Sequence, residues 1–242
     1  MKIIITLIAV LVAYLVSFVI QPASSAGTFS GLILPIAIIF AAVFGLLAGI
    51  AISRRERLKQ EVATELNKIR RIYHLGKNLG TAPYLRSWFT DLHGFIYDYL
   101  GSFGKFDFSD YEKGNALFRR IAYHVYTLPE LHEVKEQVLY DELLEATAEV
   151  SNARQKITTL LRNRYASSHW FELAVLVILF TVSVVLGMAD SVLARVLTAN
   201  LLAAGYVLAL TFLFHDFWTK PAERRLADEY VRNIARLELR RG

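Results

Sequence analysis

The sequence predicts an all-α membrane protein: four transmembrane helices, arranged as two hairpins that flank a helical cytoplasmic domain. Three observations carry that expectation. Hydrophobic residues make up 55% of the 242 residues and charged ones 20%, with a mean hydropathy of +0.37, a balance unlike that of an ordinary soluble domain. The charges are also segregated. Of 27 Lys+Arg and 22 Asp+Glu, 18 and 15 fall within 53–168 and 7 and 5 within 215–242, leaving only Lys2, Glu172, Asp190 and Arg195 elsewhere. Finally, four apolar stretches approach or exceed the roughly 20 helical residues that a ~30 Å hydrocarbon core requires: Ile3–Ile20, Gly31–Ile52, Trp170–Met188 and Val192–Phe214.

The first two stretches are joined by a short uncharged linker through Ser24 and Ser25, and the last two by a few residues around Asp190. Each pair therefore reads as a hairpin. Ser24-Ser25-Ala26 after an apolar run imitates a signal-peptide cleavage site, but an apolar core of 18 residues exceeds the ~7–15 of such a signal. The first stretch is accordingly expected to be a retained helix. Arg54, Arg55 and Arg57 follow the second stretch, Arg154, Lys156, Arg162 and Arg164 precede the third, and Lys220, Arg224 and Arg225 follow the fourth. The positive-inside rule puts these flanks, both termini and the whole 53–168 insert in the cytoplasm, with the chain multi-pass in the inner (plasma) membrane. The expected division is a hairpin at 1–52, a cytoplasmic domain at 53–168, a second hairpin at 169–214 and a cytoplasmic C-terminal helix at 215–242.

Within the second stretch, Ala37, Ala41, Gly45, Gly49 and Ser53 recur every fourth residue and form a strip of small side chains. Gly45 and Gly49 make a GxxxG, which lets another helix approach closely in lipid. Ile36, Phe40 and Phe44 follow a neighbouring stripe. In an assembly around an axis they would stack apolar rings able to gate by dewetting; in one subunit both stripes would serve helix packing. Asn200 is the best candidate for a hydrogen bond between helices or toward a pore. Arg195 and Glu172 lie one turn from the membrane surfaces and are expected to anchor their helices there.

The insert reads as helical. Leu58, Val62, Leu66, Ile69 and Tyr73 continue the apolar stripe of the second span, so one long helix is expected to run until Gly76–Pro83 breaks it. Helices over about 84–100, 117–128 and 130–164 follow, with a loop at 105–114. Ten aromatic residues crowd Tyr84–Tyr111: Tyr84, Trp88, Phe89, Phe95, Tyr97, Tyr99, Phe103, Phe106, Phe108 and Tyr111. They either fill a small core or, with Arg70, Arg71, Lys77, Arg86 and Lys105 nearby, offer rings and cations to a nucleotide or single-stranded oligonucleotide. On the second alternative the ligand residues are Arg70, Arg71, Lys77, Tyr84, Arg86, Trp88 and Lys105.

The absence of cysteine excludes disulfides, thiolate metal sites and a cysteine nucleophile. Neither His132-Glu133 nor Asp107, Asp110 and Glu112 matches a zinc or EF-hand pattern. No phosphate-binding loop, nucleophile elbow or HExxH occurs. No enzyme, no metal and no cofactor are expected.

Leu34-Pro35-Ile36-Ala37, the phenylalanines at four-residue spacing, Arg54-Arg55-Glu56-Arg57 followed by Glu61 and Glu65, Tyr84-Leu85-Arg86 and Arg162-x-Arg164-Tyr165 resemble the bestrophin superfold, and more closely the bacterial bestrophin-like family. The resemblance implies a homo-oligomeric anion channel in contact with lipid, its second span lining the pore, and makes Ile36, Phe40 and Phe44 candidates for an apolar neck. The acidic calcium clasp of bestrophins has no counterpart, so calcium gating is not implied. The layout is also similar to that of membrane effectors of antiphage defence, in which a cytoplasmic module senses a nucleotide or oligonucleotide. A non-conducting scaffold whose insert docks a partner is the third alternative.

Overall fold

Among the described residues, the apolar runs and the stripes at helical spacing fold as eight α-helices. The structure, a computed structural model, describes residues 2–19, 26–105, 108–162, 167–186, 191–217 and 219–237. Of the expected hairpin linkers, Ser24, Ser25 and Asp190 lie outside them, as do Phe106, Asp107 and Arg164, whereas Ala26 to Ser30, read as part of the first linker, open a helix. The helices are α1 (Lys2–Val19), α2 (Ala26–Leu79), α3 (Arg86–Ser102), α4 (Asn115–Tyr126), α5 (Val134–Arg162), α6 (Ser167–Leu186), α7 (Val192–Phe217) and α8 (Thr219–Arg236). Short 3₁₀ segments at Pro83–Leu85 and Phe108–Gly114 join the middle helices. No strand occurs among the described residues.

The chain divides into two compact units: Met1–Ser53 with Tyr165–Trp218, and Arg54–Arg164 with Thr219–Gly242. The C-terminal helix thus belongs to the same unit as the insert. α2 contributes to both, its charge-free first half to one and its charged second half, from Arg54 on, to the other.

The first unit has the polarity of a body in lipid. Large side chains point outward: Leu7, Leu11, Leu15, Ile38, Leu46, Ile178, Leu193 and Leu197 are all exposed. Buried in this unit are small residues, Ala9, Ala13 and Ser17 of α1 at four-residue spacing and Ala199 and Ala203 of α7, together with the larger Phe40, Leu47, Phe180, Val184 and Leu202. So many exposed apolar side chains suit lipid rather than water, and among lipid tails small contacts that bring backbones close help hold helices together. α1 and α7 run antiparallel, because Tyr14 Oη donates to Asn200 Oδ1 at 2.9 Å while Ser17 Oγ donates to the Arg195 carbonyl at 2.5 Å. Phe180 of α6 stacks on Phe40 of α2 at 4.4 Å. A Cβ on Gly205 of α7 would come within 2.7 Å of the Phe180 ring, so that position admits only glycine without a shift. α2 and α7 are long and apolar enough to cross a membrane, and α1 and α6 carry the shorter apolar runs Thr6–Val19 and Ala174–Val185.

The second unit is a water-type fold with an aromatic core. Val62, Leu66, Ile69, Ile72 and Leu79 of α2 are buried with Trp88, Leu92 and Ile96 of α3, Ile121 of α4, Val150 and Ile157 of α5, and Leu226 of α8. The long helix ends within the expected Gly76–Pro83 stretch, at Leu79. Gly76 itself is still helical and is a point of close approach, where a Cβ would lie 2.6 Å from Leu92 Cδ2. The chain turns at Gly80, whose N–H closes the last turn onto the Gly76 carbonyl at 2.8 Å. One local expectation is corrected. The stretch read as a loop at 105–114 contains a 3₁₀ segment that buries Phe108 and Tyr111.

Candidate functional site

Two places in the molecule combine unusual chemistry with a position that can matter for function: the outward face of α2 in the membrane unit, and a buried charge in the helical unit.

On α2, Phe40 is buried against Phe180, Ile36 and Ala37 are half-buried beside it, and Phe44 is half-buried and stacked on Phe40 at 6.2 Å. The aromatic stripe is thus turned toward the subunit's own α6. The opposite arc is open. Ala41, Gly45 and Gly49 are exposed, and nothing lies within 4 Å of the place a Cβ would occupy at Gly45 or Gly49. Along the other edge of that arc stand Ile39, Val43, Leu46 and Ile50, all exposed. In the apolar window of α2 only 12% is buried, against 33% in α7. Asn200 is engaged between helices, accepting from Tyr14. Arg195 caps α1, its Nη1 donating to the Phe18 carbonyl at 3.0 Å, a favourable place for a cation at a helix C-terminus.

In the helical unit, Glu65 is fully buried. Its Oε1 accepts from Tyr99 Oη and from Arg154 Nη1, the latter at 3.0 Å; its Oε2 accepts from Tyr111 Oη at 2.6 Å and Tyr230 Oη at 2.5 Å. Four donors occupy the four lone-pair positions of the carboxylate. Arg154, nearly as buried, also donates to Tyr99 Oη and, through Nη2, to Asn115 Oδ1 at 2.6 Å. Its guanidinium lies over the rings of Tyr111 at 4.7 Å, Tyr99 at 5.0 Å and Phe118 at 5.1 Å. Burial raises the Glu65 carboxyl above its ordinary value of 4.5, with Arg154 and the tyrosine hydroxyls pulling the other way. Burial first, and then the Glu65 charge, push the Tyr111 and Tyr230 hydroxyls well above 10, which keeps them donors. With every lone pair used, this carboxylate has no free site for a substrate or a metal. What it does is tie α2 to α3, α4, α5, α8 and the Phe108–Gly114 segment through one charged point.

This node escaped the sequence reading, although its signal is present. Glu65 falls between Val62 and Ile69 on the buried stripe of α2, and Arg154 between Val150 and Ile157 on that of α5. A charge in a core register requires a partner.

The structure does not gather the seven residues considered for a ligand. Arg70 donates to Asn233 of α8 at 3.0 Å, Arg71 pairs with Glu142 of α5 at 3.1 Å, and Tyr84 donates to Glu136 at the start of α5. Trp88 is buried with its Nε1 donating to the His124 carbonyl at 3.0 Å. Lys77, Arg86 and Lys105 are exposed. Of the aromatic cluster, Trp88, Tyr99, Phe103, Phe108 and Tyr111 are core residues.

The described residues form one apolar helical unit, with two helices long and apolar enough to cross a membrane, and one charged helical unit. Residues 3–219 of the chain match the bestrophin-like domain, and the chain belongs to that family. Membership makes it a membrane protein of channel type. No curated protein and no solved structure matches the chain.

Proposed function

We propose that the chain assembles into an oligomeric ion-conducting pore in the inner membrane, lined by the apolar half of α2 and gated through the helical 53–168 domain. Each subunit crosses the membrane four times as two hairpins, with both termini and the 53–168 domain on the cytoplasmic side. The basic flanks at Arg54, Arg55 and Arg57 and at Arg154, Lys156 and Arg162 support that orientation.

The observation that carries the reading is the open arc of α2. A strip of alanine and glycine gains little from lipid and much from the backbone of another helix. In a ring of subunits, the edge bearing Ala41, Gly45 and Gly49 receives the neighbouring α2, while Leu46 and Ile50 on the other edge face the axis as an apolar constriction. Phe40, stacked on Phe180, and Phe44, stacked on Phe40, support this helix from behind. Glu65 couples it to the domain, since α2 cannot shift along its axis without moving the tyrosines and Arg154 that hold that carboxylate.

The test is assembly and conductance of purified protein in lipid bilayers. A stable oligomer that conducts is expected. Gly45→Leu should dissociate it and silence it, and Leu46→Ser should raise basal conductance by wetting the constriction. A monomer with silent bilayers would overturn the proposal. The defence-effector alternative has less to stand on, because its stacking surface at Tyr84–Tyr111 has half of its rings in the core.

A further inference from the structure

The cations of α2 are treated differently on two sides of the helical unit. Toward α5 two of them meet carboxylates, Lys68 that of Glu149 and Arg71 that of Glu142 at 3.1 Å, and Glu61 of α2 receives Lys156 of α5 at 3.3 Å. Toward α8 the arrangement differs. Arg70 is held by an amide rather than a carboxylate, its Nη2 donating to Asn233 Oδ1 at 3.0 Å, and its buried Nε has no acceptor among the described residues. Beside it opens a cleft of about 210 Å³, lined by Asn67 and Arg70 of α2 and by Glu229, Arg232, Asn233 and Arg236 of α8. Arg232 and Arg236, four residues apart, share one face of α8. No carboxylate pairs with either among the described residues.

Three guanidinium groups against one carboxylate leave the lining two charges positive. Like charges gathered in one cleft repel, and a fold that keeps three of them there beside a single acid, Glu229, which pairs with none of them among the described residues, is suited to an anion. The guanidinium fork matches phosphate oxygens in pairs. Asn233 fixes one of the three forks in advance: its Nδ2 is spent on the Glu229 carbonyl at 2.8 Å, which leaves its oxygen to hold Arg70. The volume sets the size of the ligand. It falls below the roughly 300–1,000 Å³ of sites for drug-sized molecules, so the cleft takes a phosphate or pyrophosphate group rather than a whole nucleotide. We propose that the α2–α8 cleft is a binding site for a small phosphate-class anion, held by Arg70, Arg232 and Arg236, which clamps α8 onto α2. The anion is either a free solute or the phosphomonoester headgroup of a lipid.

The experiment needs no conductance, so it stands or fails apart from the pore. The full chain in nanodiscs of phosphatidylcholine, a phosphodiester lipid without a phosphomonoester headgroup, is titrated in phosphate-free buffer with sodium phosphate and pyrophosphate, with chloride at matched ionic strength as control. Thermal unfolding and hydrogen exchange of the amides of residues 226–236 are followed. A saturable rise in Tm and slower exchange in α8 are expected with the phosphate anions and not with chloride. Arg70→Gln, Arg232→Gln and Arg236→Gln should each weaken apparent affinity about ten-fold or more, the scale of losing a charge-assisted contact. Arg224→Gln, on the same helix but outside the cleft, should leave it unchanged. Protection by the soluble anions identifies a free solute. Protection that appears only when phosphatidic acid is added, and that needs the same three arginines, identifies a headgroup. No protection from either source, or protection that survives Arg70→Gln together with Arg232→Gln, overturns the site.

Discussion

Glu65 and Arg154 occupy positions where an apolar residue would be unremarkable, and their cost to the fold is met by each other, by three tyrosines and by Asn115. Removing one partner leaves the other buried and uncompensated. Glu65→Ala should therefore destabilise the helical unit by about 3–5 kcal/mol, measured by denaturant or thermal unfolding. The paired replacement Glu65→Leu with Arg154→Met should cost much less than the two single changes summed, because neither charge is then stranded. A second carboxylate behaves oppositely. Glu136 accepts from Tyr84 Oη and from the backbone N–H groups of His132 at 3.0 Å and Glu133 at 3.1 Å, and these bonds, the tyrosine first, hold its carboxyl below 4.5. With the folded value depressed, its stabilisation is present above the ordinary value and lost as pH falls through the folded one. The amides of His132 and Glu133 should accordingly lose exchange protection when the pH drops from neutrality below about 4.5, and Glu136→Gln should remove that dependence.

At the scale of the helix, glycines decide how closely elements meet. At Gly76 a new methyl would press on Leu92 Cδ2, the far end of a flexible side chain, whereas at Gly80 it would lie 2.6 Å from Phe89 Cβ, which cannot swing away. Gly76→Ala should be close to neutral, since the gain in helix propensity of about 1 kcal/mol offsets the crowding. Gly80→Ala should destabilise by about 1–3 kcal/mol, the usual scale of overpacking. Unfolding of the two single variants checks the difference. The sequence showed a glycine at each place, and breaking is the commonest thing glycine does to a helix. Only the neighbours Leu92 and Phe89 reveal that these two admit α3. Small residues in the membrane unit teach the same lesson. The GxxxG of α2 drew attention as a packing motif, yet within one chain the strip that packs is Ala9, Ala13 and Ser17 of α1.

At the scale of the whole molecule, α2 carries two kinds of surface on one helix: an apolar half with an uncovered arc and a charged half whose cations meet carboxylates on one side and a cleft on the other. Gly45→Leu, by filling the uncovered arc, is expected to act on assembly while leaving the unfolding of the helical unit unchanged; sizing in detergent together with thermal unfolding separates the two effects.

Composition, charge segregation and helical spacing by themselves determined the all-helical class, the alternation of charge-free and charge-rich stretches, and the apolar stripe of α2 from Leu58 to Tyr73. These depend on the local chain, on how far apolar runs extend and on which residues share a face, and a sequence displays both. Tertiary structure alone decided what each face meets. Phe40 turns to Phe180, Asn200 to Tyr14, and Arg70 and Arg71, adjacent in the chain, to different helices. The Glu65 carboxylate draws its donors from Tyr99, Tyr111, Arg154 and Tyr230, the last of them 165 residues away. Helical period assigns a residue to a face, but the partner across that face comes from distant chain, and it is the partner that makes a buried charge a tie.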